Sequence, residues 1–83
     1  RCSSTASYQA HDLTGIQLIE NNLTGANLSS QNLTSANLFR ATLTNANFNQ
    51  ANLANADLRY AILTGANFTA ADVRGANFES SRI

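Results

Sequence analysis

Large apolar residues recur at every fifth position, from Leu13, Leu18 and Leu23 through to Val73, Phe78 and Ile83, fifteen in a row without a slip. We call each of these positions a centre. Two residues before the centre stands Ala in ten of the fifteen cases, and the residue between them is mostly Asn or Asp. This spacing suits neither regular template, since an amphipathic helix needs apolar residues near period 3.6 and a half-buried strand needs period 2. Five residues along a helix rotate a side chain by about 140°, so no stripe forms. In an unbroken strand, successive centres alternate faces. The pattern fits a chain that turns a corner every five residues and points the centre and its small partner inward along each short side. Four such sides close a coil of twenty residues, and coils stack at the inter-strand spacing of about 4.8 Å. The expected architecture is a solenoid, each coil burying its apolar face against its neighbours.

Units such as Ala26-Asn27-Leu28, Ala36-Asn37-Leu38, Ala56-Asp57-Leu58 and Ala66-Asn67-Phe68 carry a further implication. They resemble the pentapeptide-repeat family, whose consensus is Ala-(Asp/Asn)-Leu-X-X, and the resemblance extends over nearly the whole chain. It implies an all-β fold, a right-handed quadrilateral parallel β-helix, here of about four coils. The handedness comes from the family alone. Family members have diverse roles, so the resemblance implies little about function.

The ends depart from the pattern. Arg1–Thr5 reads as a polar tail or partial cap, with the solenoid over residues 6–83. Ala6 and Tyr8 fall in phase with the repeat, which makes Tyr8 a sixteenth centre, or else a ring that covers the open end of the core with its hydroxyl near water. The small inward position holds His11, Ile16, Asn21 and Gln31, too large or too polar for the repeat interior. Terminal repeats of solenoids are commonly atypical, and His11 reads as a capping residue. Gly15, Gly25, Gly65 and Gly75 stand two after a centre, where the corner favours positive φ. Ile83 is a centre with no cap after it, so further chain or another copy is expected at that edge.

A twenty-residue coil aligns the outward residues in columns. Side one carries Asn22, Thr42, Ile62 and Thr24, Thr44, Thr64; side two Asn27, Asn47, Asn67; side three Asp12, Asn32, Asn52, Asp72. These three are mostly small, polar and uncharged. Side four carries Gln17, Asn37, Asp57, Asn77, then Ile19, Phe39, Arg59, Glu79, then Glu20, Arg40, Tyr60, Ser80. Half of the ten charged residues lie there, beside Phe39 and Tyr60.

Composition narrows the function classes. Five basic and five acidic residues give no net charge, and charged residues are only 12% of the chain. A basic nucleic-acid footprint is absent, as is the acidic rod that a DNA mimic protecting a topoisomerase needs. No apolar run is long enough for a transmembrane helix. Low charge and abundant Asn, Thr and Ser lean toward an exported protein, and the opening Arg1 suggests a processed product or excised piece. One His and one Cys offer no metal cluster, and no nucleophile–base pair or phosphate loop is visible. No cofactor, metal, catalytic residue or small-molecule substrate is expected. The expected role is a non-catalytic structural or protein-interaction module that binds a partner protein or itself. Lateral contact would use Ile19, Glu20, Phe39, Arg40, Arg59, Tyr60 and Glu79, and end-to-end stacking would use Ile83. Ice or carbohydrate binding on the flat Thr/Asn sides is the alternative from another class.

Overall fold

The structure, a computed structural model, describes residues 5–83. Each unit from Asp12 onward bends at its two residues after the centre, and the backbone chemistry of that bend explains the period. The N–H of the next unit's small residue returns to the centre's carbonyl, as in Ala46 N to Leu43 O at 3.0 Å. The second corner residue has φ between 58° and 75° at every corner from Gly15 to Ser80. A closed four-residue turn with positive φ only at its third position is a type II turn. Glycine fills four of these corners and the other ten hold ordinary residues.

Between corners, each side contributes one parallel bridge position, and every bridge joins residues twenty apart, from Asp12 with Asn32 to Ile62 with Arg82. Three hydrogen bonds per side sew neighbouring coils together. Around Leu43 they are Leu43 N to Ile62 O (2.7 Å), Asn45 N to Thr64 O (2.9 Å) and Thr42 N to Asn21 O (2.9 Å). The backbone polar groups of the middle coils are thereby paired on both sides, which an interior this dry requires.

The inward assignment holds in the body. Leu33, Leu38, Leu43, Phe48, Leu53 and Leu58 are fully buried, and so are Ala41, Ala46 and Ala61 beside them. Each buried large side chain contributes about 1.5–3 kcal/mol, while the alanines leave room for the opposing centres. Phe48 and Phe68, one coil apart in one inward column, stack with centroids 4.8 Å apart and planes at 6°. Phe78 meets Phe68 edge-on at 6.1 Å.

Two expectations about the ends change. Tyr8 is not a sixteenth centre: Ala6–Gln9 forms one helical turn, α1, with Thr5 as its N-cap, whose hydroxyl accepts from Tyr8 N at 3.1 Å. Tyr8 does cover the core, and at the exposed rim its hydroxyl donates to Asn27 O at 2.6 Å. That bond satisfies a carbonyl which, one coil along, accepts an amide from the coil before it. His11 is exposed and sits in left-handed backbone at φ 61°. The capping contact is made by buried Gln31, which donates through Nε2 to Tyr8 O at 3.1 Å and lies 3.5 Å from His11 Nδ1. At the other edge Val73 is exposed, Phe78 half-buried and Ile83 88% exposed, because no coil lies over them among the described residues. The tail residues 1–4 lie outside the described part.

Candidate interaction face

The outward columns are those the twenty-residue period implies, since the bridges run Gln17–Asn37–Asp57–Asn77 along side four and Asn27–Asn47–Asn67 along side two. On most units the Asn or Asp before the centre turns its Oδ1 back to accept the N–H two residues on, as Asn27 does from Ser29 (3.2 Å) and Asn37 from Phe39 (3.1 Å). These short side chains hold the corner by a local side-chain-to-backbone bond. Where the following residue is Ser or Thr, its hydroxyl closes on the same oxygen: Ser29 on Asn27 (2.8 Å), Thr34 on Asn32 (2.6 Å) and Thr69 on Asn67 (2.6 Å). Thr14 does this to Asp12 and so holds that carboxyl below its usual range.

Side four has no hydroxyl at this position. Asp57 accepts from Arg59 N–H and takes its guanidinium through both oxygens, at 2.9 Å and 2.7 Å. The Arg59 hydrogen bond lowers the Asp57 pKa, and Asp57 raises that of Arg59. The same arrangement on side three joins Asp72 to Arg74 and lowers the Asp72 pKa to about 2.

Around Phe39 the longer side chains pack on one another. The Tyr60 ring meets Phe39 edge-on, with centroids 5.8 Å apart and planes at 75°. The Arg40 guanidinium carbon lies 5.3 Å from the Phe39 centroid and 5.2 Å from that of Tyr60. Arg59 reaches Phe39 from its other neighbour position, at 5.0 Å. Such contacts are worth about 0.5–1 kcal/mol each at exposed sites. They leave Phe39 half-buried, not exposed as its column position suggests, whereas Ile19 and Tyr60 are 44% and 48% exposed. Glu20, Arg40 and Glu79 are also exposed, and Arg59 is half-buried.

At the edge shared with side one lies a cleft of about 470 Å³, lined by Glu20, Arg40, Tyr60, Ile62, Ser80 and Arg82. Sequence reasoning brought Glu20, Arg40, Tyr60 and Ser80 together but missed Ile62 and Arg82. The signal was there, since both break the Asn/Asp/Thr habit of their column.

The structure therefore brings Phe39, Arg40, Arg59 and Tyr60 into one cluster, with Glu20 in the adjoining cleft. Ile83, the neighbour of Arg82, lines neither the cluster nor the cleft.

Comparison with known proteins agrees with this architecture. The family model for pentapeptide repeats matches residues 12–50 and 36–75, in eight copies. A solved pentapeptide-repeat protein, Rfr23 from the cyanobacterium Cyanothece 51142, is 40% identical over 86% of this chain, with a TM-score of 0.77. Another, from the Arabidopsis thaliana thylakoid lumen, is 32% identical over 84% of the chain, with a TM-score of 0.57. The chain spans about half the length of each, 52% in both cases. Among proteins with curated function, none matches it. On repeat, register and likeness together, the chain belongs to the pentapeptide-repeat family.

Proposed function

We propose that the protein is a non-catalytic interaction module that binds protein through side four, displayed on a right-handed four-sided β-helix of about four coils. One observation carries the reading. The left-handed corner position holds Gly, Ser, Asn, Gln or Ala on the other three sides, but on side four it holds Glu20, Arg40 and Tyr60 before a serine, Ser80. Large side chains avoid this backbone region, and each instance costs on the order of 1 kcal/mol. A chain that spends stability here on a guanidinium and a phenol, both exposed, points to a use for them outside the fold. Tyr and Arg are also the residues that dominate protein interfaces. The Thr/Asn sides support ligand binding less well, because Ser29, Thr34 and Thr69 turn their hydroxyls inward to their own Asn.

The test is the double variant Arg40→Ser with Tyr60→Ser. Serine already occupies this conformation at Ser30, Ser35 and Ser80, so stability should stay within about 0.5 kcal/mol of the parent. Association, with another copy or with a captured protein, should weaken at least tenfold, about 1.4 kcal/mol. A folded double variant that associates like the parent sinks the reading.

A further inference from the structure

We propose that the occupant of side four is side four of a second copy, docked antiparallel about a two-fold axis lying in the interface midway between the levels of Arg40 and Tyr60. This rests on the interaction reading above and names its partner.

The charges that the fold leaves without an ion pair motivate it. Arg59 and Arg74 are each held by their own Asp within 2.7 Å. Arg40, Arg82, Glu20 and Glu79 make no ion pair among the described residues. Glu20 and Arg82 line the same cleft but lie three coils apart, about 14 Å at the inter-strand rise, too far to pair within one chain. An antiparallel two-fold reverses the order of coils and keeps each column facing itself. It sets Arg40 opposite the partner's Tyr60 and Glu20 opposite the partner's Ser80, with the partner's Arg82 at the same level in the adjoining column. In the neighbouring column Phe39 meets the partner's Arg59. Each contact occurs twice, as an isologous interface requires: two ion pairs outside and cation–π pairs inside. Ile62 lies in the same cleft and supplies apolar surface next to Arg40 of the partner subunit.

The opposite arrangement is electrostatically poor. A parallel two-fold running along the column of Phe39 keeps coils level and brings Arg59 onto the partner's Arg59 and Glu79 onto the partner's Glu79; like charges in contact oppose association. The size of the face is adequate. A body measuring 32 × 23 × 22 Å offers roughly 700 Å² per copy, close to the ~800 Å² per partner of a standard interface. With no net charge, two copies meet without long-range repulsion.

A charge exchange tests the pairing. Sedimentation equilibrium of the protein should show a monomer–dimer equilibrium. Glu20→Arg alone and Arg82→Glu alone should each weaken the dimer at least tenfold, since each sets two like pairs facing. The double variant should return to within about threefold of the parent, the gain expected when opposite charges are restored across a contact. Arginine is compatible with the corner at Glu20, as Arg40 shows at φ 59°, and a melting curve confirms folding of each variant. A parent that stays monomeric, or a double variant as weak as the singles, overturns antiparallel docking. If instead the parent dimerises and Arg40→Ser with Tyr60→Ser leaves that dimer intact, side four itself is excluded as the interface.

Discussion

Side two and side four are built on the same backbone and the same interior, yet they present opposite chemistry. Both bridge in steps of twenty residues, and on both the residue before the centre accepts the N–H two positions on. They part only at the two corner residues. On side two, Ser29 and Thr69 are short enough to close back on their own Asn, and the corner itself holds Ser30, Gln50 or Ala70. On side four, Arg59 closes back on Asp57, but Phe39 cannot, and it packs on Tyr60, Arg40 and Arg59 instead. Within this fold, the residues at two positions in five decide whether a side stays small and polar or carries a packed cluster of aromatic and cationic side chains.

The comparison assumes one shared core beneath both sides. Ala46, fully buried beside Phe48, tests that assumption with the largest effect. Ala46→Leu should overpack the interior and cost roughly 1–3 kcal/mol, seen as an earlier midpoint in urea; an unchanged midpoint would place residue 46 outside the core. A smaller effect is expected at the feature that the two sides share. Asn47 accepts Asn49 N–H at 2.9 Å, so Asn47→Ala should cost about 0.5–1.5 kcal/mol without altering association. If association falls as well, side two is not the inert side.

The corners sharpen the contrast further. Ala70→Gly should gain up to about 1 kcal/mol by relieving left-handed backbone, its φ being 59°. Tyr60→Gly relieves the same backbone but removes the ring contacts, so its stability should stay within about 0.5 kcal/mol of the parent while association is lost. A Tyr60→Gly protein clearly less stable than its parent would mean that the ring serves the fold. The least effect concerns acid. Asp72 on side three and Asp57 on side four both have lowered pKa values, Asp72 about 2 against an ordinary 3.8. The Asp72 stabilisation is present above the ordinary value and is lost as pH falls from 3.8 toward 2. Asp72→Asn should therefore flatten the acid limb of stability in that window and leave neutral-pH association untouched, as followed by circular dichroism.

Much of this was legible in the residues themselves. The period placed every centre from Leu28 to Leu63 inside, because a corner every five residues admits only one inward set. The columns followed from the same arithmetic. Positive φ was legible only where glycine stood; Glu20, Arg40 and Tyr60 give no sign of it, since the turn imposes the conformation whatever residue fills it. Tyr8 misled by falling in phase, although Thr5 three residues before it is a helix N-cap signal. Gln31 was visible as a misfit, but its bond to Tyr8 O depends on a helical turn that the repeat does not announce. Phe39 was expected in the open; Arg59 of its own column and Arg40 and Tyr60 of the adjoining one pack on its ring, and the last two contacts cross between columns.

The fixed register also bears on how the chain folds. Every coil-to-coil bond joins residues about twenty apart, so the loop to be closed is the same length at each step and its entropic cost is constant. No single closure dominates the barrier. A nucleus can begin at any adjacent pair of coils and grow in both directions, as in a one-dimensional lattice of like units. The most completely buried stretch, Leu33 to Leu63, is where that growth is best rewarded. Amide exchange should accordingly be slowest at Leu43 and Leu53 and quicken toward Leu18 on one side and Phe78 on the other, opening by fraying from the edges inward.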